Sequence, residues 1–272
     1  MDARRVDDVT ARLRAAGCVF AEEEAALLLD ASPGDEGALE RMVADRVGGR
    51  PLEAILGWAD FAGLRVLVDD GVFVPRRRTE VLARVAALGL REGAVVVDMC
   101  CGTGAVALAL RTAARRAGLA VTVLASDLDP AAVANARRNL EPPVGSVFEG
   151  DLFAALPEEL RGRIDVLAVN APYVPSAGIS TMPPEARDHE PRLALDGGSD
   201  GLDVHRQVAA EVATWLAPGG LVAIETSEAQ ASGTAALLAA AGLAVEVVHD
   251  DDLDGTAVAG RMPSRSASAA RI

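Results

Sequence analysis

The chain has 272 residues, of which half are apolar and only 3% are aromatic. This length is enough to bury a full core, and it suits one large α/β domain with a modest appendage. No apolar run approaches the roughly 18 residues of a membrane span, and the charged start has no apolar segment typical of a signal peptide, so we expect a soluble cytoplasmic protein with no membrane contact. The net charge of −14 argues against nucleic acid as a partner, and three cysteines without metal-ligand spacing predict no metal site.

Residues 1–54 are predicted to form a small helical domain. Val6, Val9 and Leu13 recur at helical spacing, and two further apolar-faced segments follow them. The last of these segments ends at two consecutive glycines, Gly48 and Gly49, which is typical of the end of a helix.

A β-hairpin linker is predicted over residues 55–78. Apolar residues alternate over 64–68 and again over 72–74, and the turn residues Asp69-Asp70-Gly71 separate the two runs. The run Arg76-Arg77-Arg78 that follows is the strongest basic cluster of the chain. It is either a solvated start of the next helix or a contact on the substrate side.

From residue 79 to 260 apolar strands alternate with amphipathic helices, and this rhythm predicts a doubly wound, mostly parallel sheet. Such sheets bind ligands beyond the carboxyl ends of their strands, so functional residues are expected directly after strands. The tail, 261–272, is rich in Ser and Ala without periodicity and is predicted to be disordered. The predicted strands are 95–98, 121–127, 147–151, 164–170, 221–225 and 245–248, and the predicted helices are 105–116, 130–140, 202–216 and 230–241.

The first three strand exits indicate a nucleotide-type cofactor. The turn after the first strand has small residues that let the backbone approach a ligand, although it also suits NAD or plain close packing. Asp127 ends the second strand and can accept two hydrogen bonds from ribose hydroxyls, while Asp129 and Pro130 start the next helix. Asp151, which has apolar residues beside it where the third strand ends, suits an adenine ring. The candidate cofactor residues are Asp98, Cys100, Cys101, Gly102, Thr103, Gly104, Asp127, Asp151, Leu152 and Asn170.

Asn170-Ala171-Pro172-Tyr173 follows the fourth strand and contains the only tyrosine of the chain. It resembles the Asn-Pro-Pro-Tyr motif of methyltransferases that act on planar NH₂ groups of glutamine side chains or nucleobases. The nitrogen lone pair of such a group is delocalised, so two acceptors, the side-chain oxygen of Asn170 and the carbonyl of Ala171, would orient it towards the methyl group. Pro172 restricts Ala171 to extended geometry, and Tyr173 would stack on the planar group. These four residues are the predicted catalytic set, and the alternative is a plain turn that ends the strand.

From about Arg46 onward the chain resembles the HemK/PrmC-type protein glutamine methyltransferases, which modify the glutamine of the Gly-Gly-Gln loop in peptide-chain release factors. The resemblance implies a class I, Rossmann-like methyltransferase with a seven-stranded, mostly parallel sheet, S-adenosylmethionine as cofactor, and a release factor as protein partner. It also implies that Pro75, Arg76, Thr79 and Glu80 contact the substrate together with Asn170 and Tyr173. The matching segments are Arg50-Pro51-Leu52, Val72 to Arg76, Thr79-Glu80, Glu190-Pro191-Arg192, Gly197-Gly198, Asp200-Gly201-Leu202, Pro218-Gly219-Gly220 and Glu225.

The chain departs from the family pattern at Ala171 and Cys100, where proline and glycine are usual, at Thr226-Ser227, and at Leu152. A divergent paralogue that methylates another glutamine therefore stays open. Two other classes also stay open: an amino-group methyltransferase for a nucleobase or small molecule, and a protein that binds S-adenosylmethionine without catalysis.

Overall fold

The amino-terminal part is helical, as predicted. A computed structural model describes residues 3–140 and 147–264, and its first elements are the helices α1 (Ala3–Ala15), α2 (Ala21–Ala31), α3 (Glu36–Val47) and α4 (Leu52–Leu56). Leu13, Leu28 and Leu39 are buried among these helices and form a small core. The apolar spacing therefore reflects burial of one face of each helix.

The linker hairpin lies at a different place from the predicted one. Strands β1 (Trp58–Phe61) and β2 (Leu64–Leu67) pair antiparallel across the two-residue turn Ala62-Gly63, and both turn residues have positive φ. The segment 72–74, predicted as the second arm, forms no strand. Its alternating pattern arises because Val72 and Val74 are buried side chains, and the backbone N–H of Val74 bonds to the side chain of Glu190.

The rest of the described chain is a seven-stranded sheet with helices on both faces, which confirms the predicted fold class. The strand order is β5-β4-β3-β6-β7-β9-β8, and only the pairs made by β9 are antiparallel. The strands are β3 (Val95–Met99), β4 (Thr122–Asp127), β5 (Val147–Glu149), β6 (Ile164–Val169), β7 (Leu216–Thr226), β8 (Ala244–Asp250) and β9 (Gly255–Arg261). The helices are α5 (Glu80–Ala87), α6 (Ala105–Arg116), α7 (Pro130–Asn139), α8 (Pro184–His189), α9 (Asp203–Trp215) and α10 (Glu228–Ala240).

Strand β9 is absent from the sequence prediction, and its last residue was assigned to a disordered tail. Arg261 instead pairs with Leu221 of β7 and with Ala244 of β8. The strand is rich in alanine and glycine, residues depleted in strands, so its composition hides it. The remainder of the predicted tail, 265–272, lies outside the described residues.

The sheet brings the strand exits to one edge. The chain runs from β3 outward to β5 on one side and from β6 towards β7 on the other, so the strand order reverses between β3 and β6. One apolar layer covers the face packed by α5, α6 and α7, and another covers the face packed by α9 and α10. Within residues 3–140 and 147–264, no helix has the length and apolar character needed to cross a membrane.

Candidate active site

A cavity lies at the carboxyl ends of the parallel strands, where the strand order reverses, and it brings nearly all predicted site residues together. Only Gly104 and Glu80 of the predicted set are not among the lining residues. The predicted residues that line the cavity are Pro75, Arg76, Thr79, Asp98, Cys100, Cys101, Gly102, Thr103, Asp127, Asp151, Leu152, Asn170, Ala171, Pro172 and Tyr173.

The two residues that do not line the cavity have structural contacts instead. A side chain at Gly104 would meet Ala136 and Leu140 at 3.3 Å, so this glycine lets α6 approach α7 closely. The carboxylate of Glu80 accepts a hydrogen bond from the backbone N–H of Ala62 in the hairpin turn, at 3.2 Å. Both residues support the walls of the site.

The first two turns of the cavity are tied together by Asp127. Its Oδ2 accepts a hydrogen bond from the N–H of Gly102 at 2.8 Å, and its Oδ1 accepts one from the N–H of Asp129 at 2.9 Å. Each carboxylate oxygen can accept a further hydrogen bond, so ribose hydroxyls remain compatible with this geometry. Asp129 caps α7 by accepting from the N–H of Ala131, and Pro130 is the first residue of the helix, as predicted.

Asp98 is a buried carboxyl with one oxygen still available. Its Oδ2 accepts from the N–H of Ala107 at 2.9 Å, while its Oδ1 has no hydrogen-bond partner within the described ranges. Burial raises the pKa of Asp98 to about 8, and the nearby charge of Asp127 adds to the shift. Beside it, Cys100 adopts a positive φ of 57°, and burial raises the pKa of its thiol well above the usual value. The thiol is therefore neutral at ordinary pH.

Asn170 and Ala171 present two acceptors at the fourth strand exit. The Nδ2 of Asn170 donates to Oγ1 of Thr79 at 3.5 Å. Its Oδ1 and the carbonyl oxygen of Ala171 form no hydrogen bond with another described residue. Because both residues line the cavity, these oxygens are candidate acceptors for a ligand that carries an N–H group.

The ring of Tyr173 is fixed at its hydroxyl. The hydroxyl donates to Oε1 of Glu225 at 3.1 Å and accepts from Nε of Arg78, also at 3.1 Å. Burial, reinforced by the charge of Glu225, raises the pKa of Tyr173 to about 12. The tyrosine is therefore neutral, and its position depends on two residues that are distant in the sequence.

Three charged residues of the site were not predicted in these roles: Arg78, Glu190 and Glu225. Glu190 lines the cavity and accepts hydrogen bonds from the N–H of Val74 and from the guanidinium of Arg76, so Arg76 is engaged inside the protein. Arg78 lies in the basic cluster, and the two glutamates lie in segments that carry the family resemblance. The resemblance of those segments to the family was the available signal for these residues. The sequence does not show their contacts, because each contact joins distant parts of the chain.

Glycines of the loop before α9 let this loop touch the tetrapeptide. A side chain at Gly197 would meet the carbonyl oxygen of Pro172 at 2.8 Å. Gly201 has a φ of 77°, and a side chain there would meet the carbonyl oxygen of Tyr173 at 2.2 Å. The loop therefore packs backbone against backbone on the residues predicted to be catalytic.

Comparison with known proteins agrees with a methyltransferase site. Residues 64–182 match the family described as the Methyltransferase small domain. The chain is 36% identical over 267 residues to the release factor glutamine methyltransferase of Mycolicibacterium smegmatis, an alignment that covers 92% of this chain and 93% of the relative. It is 38% identical over 202 residues to the protein of the same name from Geobacter sulfurreducens, covering 74% of this chain and 69% of the relative. A solved methyltransferase from Pyrococcus furiosus, 16% identical, shares the fold with a TM-score of 0.53 over 74% of this chain and 90% of that one. The chain belongs to the release factor glutamine methyltransferase family.

Proposed function

We propose that this protein transfers a methyl group from S-adenosylmethionine to the side-chain amide nitrogen of a glutamine in a peptide-chain release factor. The observation that carries the proposal is the pair of acceptors at Asn170 and Ala171, which lie next to the anchored ring of Tyr173. They line the same cavity as the turns that carry Asp98, Asp127 and Asp151, called the acidic turns below. The names of the relatives support the choice of substrate. The proposal implies a reaction in the cytoplasm, where translation takes place.

The residues of the acidic turns fit S-adenosylmethionine. The unpartnered, buried Oδ1 of Asp98 is an acceptor for an ammonium group, and carboxylates favour a cationic ligand. Asp127 would hold the ribose, and Asp151 with Leu152 would border the adenine. The sulfonium cofactor has no pyrophosphate, so it does not require the phosphate-binding turn of a dinucleotide site.

The residues of the tetrapeptide would then activate a poor nucleophile. When bound, S-adenosylmethionine would supply an electrophilic methyl group, whose bond to sulfur breaks as its bond to the glutamine nitrogen forms, leaving S-adenosylhomocysteine. Oδ1 of Asn170 and the carbonyl oxygen of Ala171 accept hydrogen bonds from the two N–H groups of the glutamine amide. These hydrogen bonds turn the lone pair of the amide nitrogen towards that methyl group. Both hydrogen bonds strengthen as the nitrogen becomes positive, so they stabilise the transition state more than the ground state.

Tyr173 and its neighbours complete the positioning. The ring covers the planar amide and excludes water, and the contacts to Arg78 and Glu225 keep it in place. Neither acceptor is basic enough to keep the proton that the nitrogen loses after transfer, so this proton passes to solvent once the methylated amide leaves its place beneath the ring. Orientation and two hydrogen bonds therefore account for the catalysis attributed to the protein.

One assay separates this function from its alternatives. The protein is incubated with labelled cofactor, purified release factors and total RNA. The proposal expects label on a release factor, and none on the variant in which the glutamine of its Gly-Gly-Gln loop is replaced by alanine. Label in RNA would instead support a nucleobase enzyme. Absence of label from every acceptor would support binding without catalysis.

A further inference from the structure

Glu190 is a buried carboxylate that borders the cavity on the side of the linker. It directly follows α8, its side chain is 1% exposed, and it is among the residues that line the cavity. Its Oε1 accepts from the backbone N–H of Val74 at 3.2 Å and from the guanidinium of Arg76. Its Oε2 has no hydrogen-bond partner within residues 3–140 and 147–264. One oxygen of this carboxylate is therefore left over.

The unpartnered oxygen is a cost that packing alone does not explain. A buried acceptor without a hydrogen bond destabilises a fold, and a carboxylate does so more than a neutral group. Asp165 shows an arrangement without this cost, because its Oδ2 accepts from the backbone N–H of Val95 at 2.8 Å and its Oδ1 from the guanidinium of Arg91. Glu190 has the same two kinds of partner, but both bond to one oxygen. Since Glu190 lines the cavity, a ligand in the cavity is the candidate donor for the other oxygen.

Arg76 adds donors beside this acceptor. It also lines the cavity, its side chain is partly exposed, and its guanidinium carbon lies 5.2 Å from the centre of the Phe73 ring. Only Nη2 of the guanidinium is used in a hydrogen bond to a described residue, so Nε and Nη1 remain for a ligand. The Glu190–Arg76 pair is neutral as a whole and offers both an acceptor and donors. These groups complement a peptide group, which has one N–H and one C=O.

The charges distinguish a peptide group from another donor that the cavity is expected to hold, the ammonium group of S-adenosylmethionine. Arg76 repels an ammonium group placed at Glu190 but does not repel a neutral N–H. Asp98 also has an unpartnered oxygen, and it accepts from a backbone N–H and not from an arginine, so the ammonium group fits there. The linker side also adjoins the tetrapeptide, because Arg78 donates to the hydroxyl of Tyr173. A peptide group at Glu190 would therefore belong to the acceptor.

We propose that the Glu190–Arg76 pair is a main-chain subsite, in which Oε2 of Glu190 accepts a hydrogen bond from a backbone N–H of the Gly-Gly-Gln segment. Arg76 donates to the carbonyl oxygen of the same peptide group. This inference rests on the proposed function and deepens it, because it names how the residues beside the target glutamine are recognised. Those residues are two glycines without side chains, so their recognition depends on the main chain. The tetrapeptide then selects the amide, and the pair selects the segment that carries it.

Steady-state kinetics with a release factor test the subsite. Glu190→Gln keeps an oxygen for Val74 and Arg76 and places an NH₂ group where Oε2 stood. Facing an N–H of the acceptor, this group should raise KM about 10- to 100-fold, the range for loss of one hydrogen bond to a charged group. The kcat and the Kd for the cofactor should each change less than about 2-fold, because the contact is equally strong in the ground state and the transition state. A loss confined to cofactor binding would place the ammonium group at Glu190 and overturn the inference.

Asp165→Asn is the matched control. Asp165 is also a buried carboxylate that accepts from an arginine and from a backbone N–H, and it is not among the residues that line the cavity. The variant should lower the free energy of unfolding, as Glu190→Gln also should, and leave KM for the release factor unchanged. An equal rise of KM in both variants would assign the effect to lost stability and overturn the inference.

The acceptor can also be changed at a single atom. A release factor whose Gly-Gly-Gln loop is built by peptide ligation can carry an N-methyl group on the backbone nitrogen of either glycine or of the glutamine, which removes one N–H. At one of these positions the N-methyl group should raise KM of the original chain as much as Glu190→Gln does, and Glu190→Gln should then add little. If the two losses multiply at every position, or if no position raises KM, the inference is overturned. If Glu190→Gln does not fold, this series with the original chain decides.

Binding without turnover separates this inference from the proposed function. The affinity for the release factor is measured by calorimetry in the presence of S-adenosylhomocysteine, which has no methyl group to transfer. If the original chain does not methylate release factors but binds them at least about 10-fold more tightly than Glu190→Gln does, the proposed function is wrong and the subsite stands. If it methylates them and Glu190→Gln keeps the same KM, the subsite is wrong and the function stands. If it neither methylates nor binds them, both are wrong.

Discussion

The side-chain amide of Gln230 donates a hydrogen bond to the backbone carbonyl of Tyr173, with a nitrogen–oxygen distance of 2.9 Å. The same nitrogen donates to the carbonyl of Asp200 at 2.8 Å, and the hydroxyl of Ser227 donates to Oε1 of Gln230 at 2.6 Å. Ser227 thus fixes the direction of the amide. Gln230 joins the tetrapeptide, the loop before α9 and the start of α10 in one place.

Removal of this amide is expected to weaken both the fold and the reaction. Gln230→Ala leaves two backbone carbonyls without their donor, which should lower the free energy of unfolding by about 1–3 kcal/mol. It should also lower kcat more than it raises KM, because the tetrapeptide loses a support and the cofactor turns do not. Urea denaturation and steady-state kinetics measure the two effects. Ser227→Ala keeps the donor and frees only its rotation, so an equally large loss in that variant would contradict the direct bond as the cause.

The sequence predicts the strand exits well because the information there is local. The apolar run before Asn170 ends at a turn, and the parallel sheet then brings that turn beside those at Asp98 and Asp127. Asp127 has a second role that the local sequence does not reveal. Its two hydrogen bonds to backbone N–H groups give it a structural role that its position alone did not indicate.

The missed features depend on pairing between distant segments. The bond from Arg78 to Tyr173 and the bond from Tyr173 to Glu225 both join residues far apart in the chain. A hairpin lies within the predicted linker, but the predicted turn at 69–71 and second arm at 72–74 were wrong, because Val72 and Val74 alternate for burial and not for strand pairing. Burial and pairing give the same pattern in the sequence, and only the fold separates them.

Ionisation of Asp98 should couple cofactor binding to pH. Its pKa is about 8 in the folded chain against a reference value of 3.8, so the folded state holds a proton that the unfolded state has lost, and stability should fall as the pH rises between these values. A cationic ligand favours the ionised carboxyl, so affinity should rise with pH towards a plateau above about 8. Calorimetric titration across this range, in buffers of different ionisation enthalpy, should detect proton release on binding.

Asp98→Asn is the control for this pH dependence. It keeps an oxygen for the N–H of Ala107 and removes the titrating group. The variant should bind the cofactor more weakly and lose most of the pH dependence. The same pH profile in both proteins would assign the effect to another group, and Asp127, whose charge acts on Asp98 and whose own pKa is raised, is the first candidate.

Tyr173 should resist ionisation until strongly alkaline pH. Its pKa is about 12, raised by burial and then by the charge of Glu225, whereas an exposed tyrosine ionises near 10. The change in near-ultraviolet absorbance that accompanies phenol ionisation reports this residue alone, because it is the only tyrosine. Stability should fall as the pH rises from about 10 to about 12, since the unfolded chain ionises first. Glu225→Gln should lower this pKa and Arg78→Gln should raise it, and opposite shifts would disagree with the geometry.

Loss of the Asn170 side chain should slow methyl transfer without loss of cofactor binding. Asn170→Ala removes a hydrogen bond that strengthens with the developing charge, worth about 1.5–3 kcal/mol, or roughly 10- to 150-fold in kcat. The cofactor Kd should change little, because the acidic turns stay intact. Single-turnover rates and Kd values measure the two quantities separately. An unchanged rate would mean that Oδ1 of Asn170 does not orient the substrate amide.

Ala171 is the position where the tetrapeptide departs from the family pattern, and Ala171→Pro should restore activity that this departure costs. The N–H of Ala171 donates to no other described residue, so proline would remove no hydrogen bond of this segment. It would restrict Asn170 to extended geometry, as Pro172 already restricts Ala171. Less ordering is then needed to aim the two acceptors, a gain of about 0.4–1 kcal/mol if it resembles other proline substitutions at compatible sites, or roughly 2- to 5-fold in kcat. Ala171→Gly, which loosens the same backbone, should move kcat in the opposite direction. If both variants lower kcat equally, the rigidity of this position does not limit the rate.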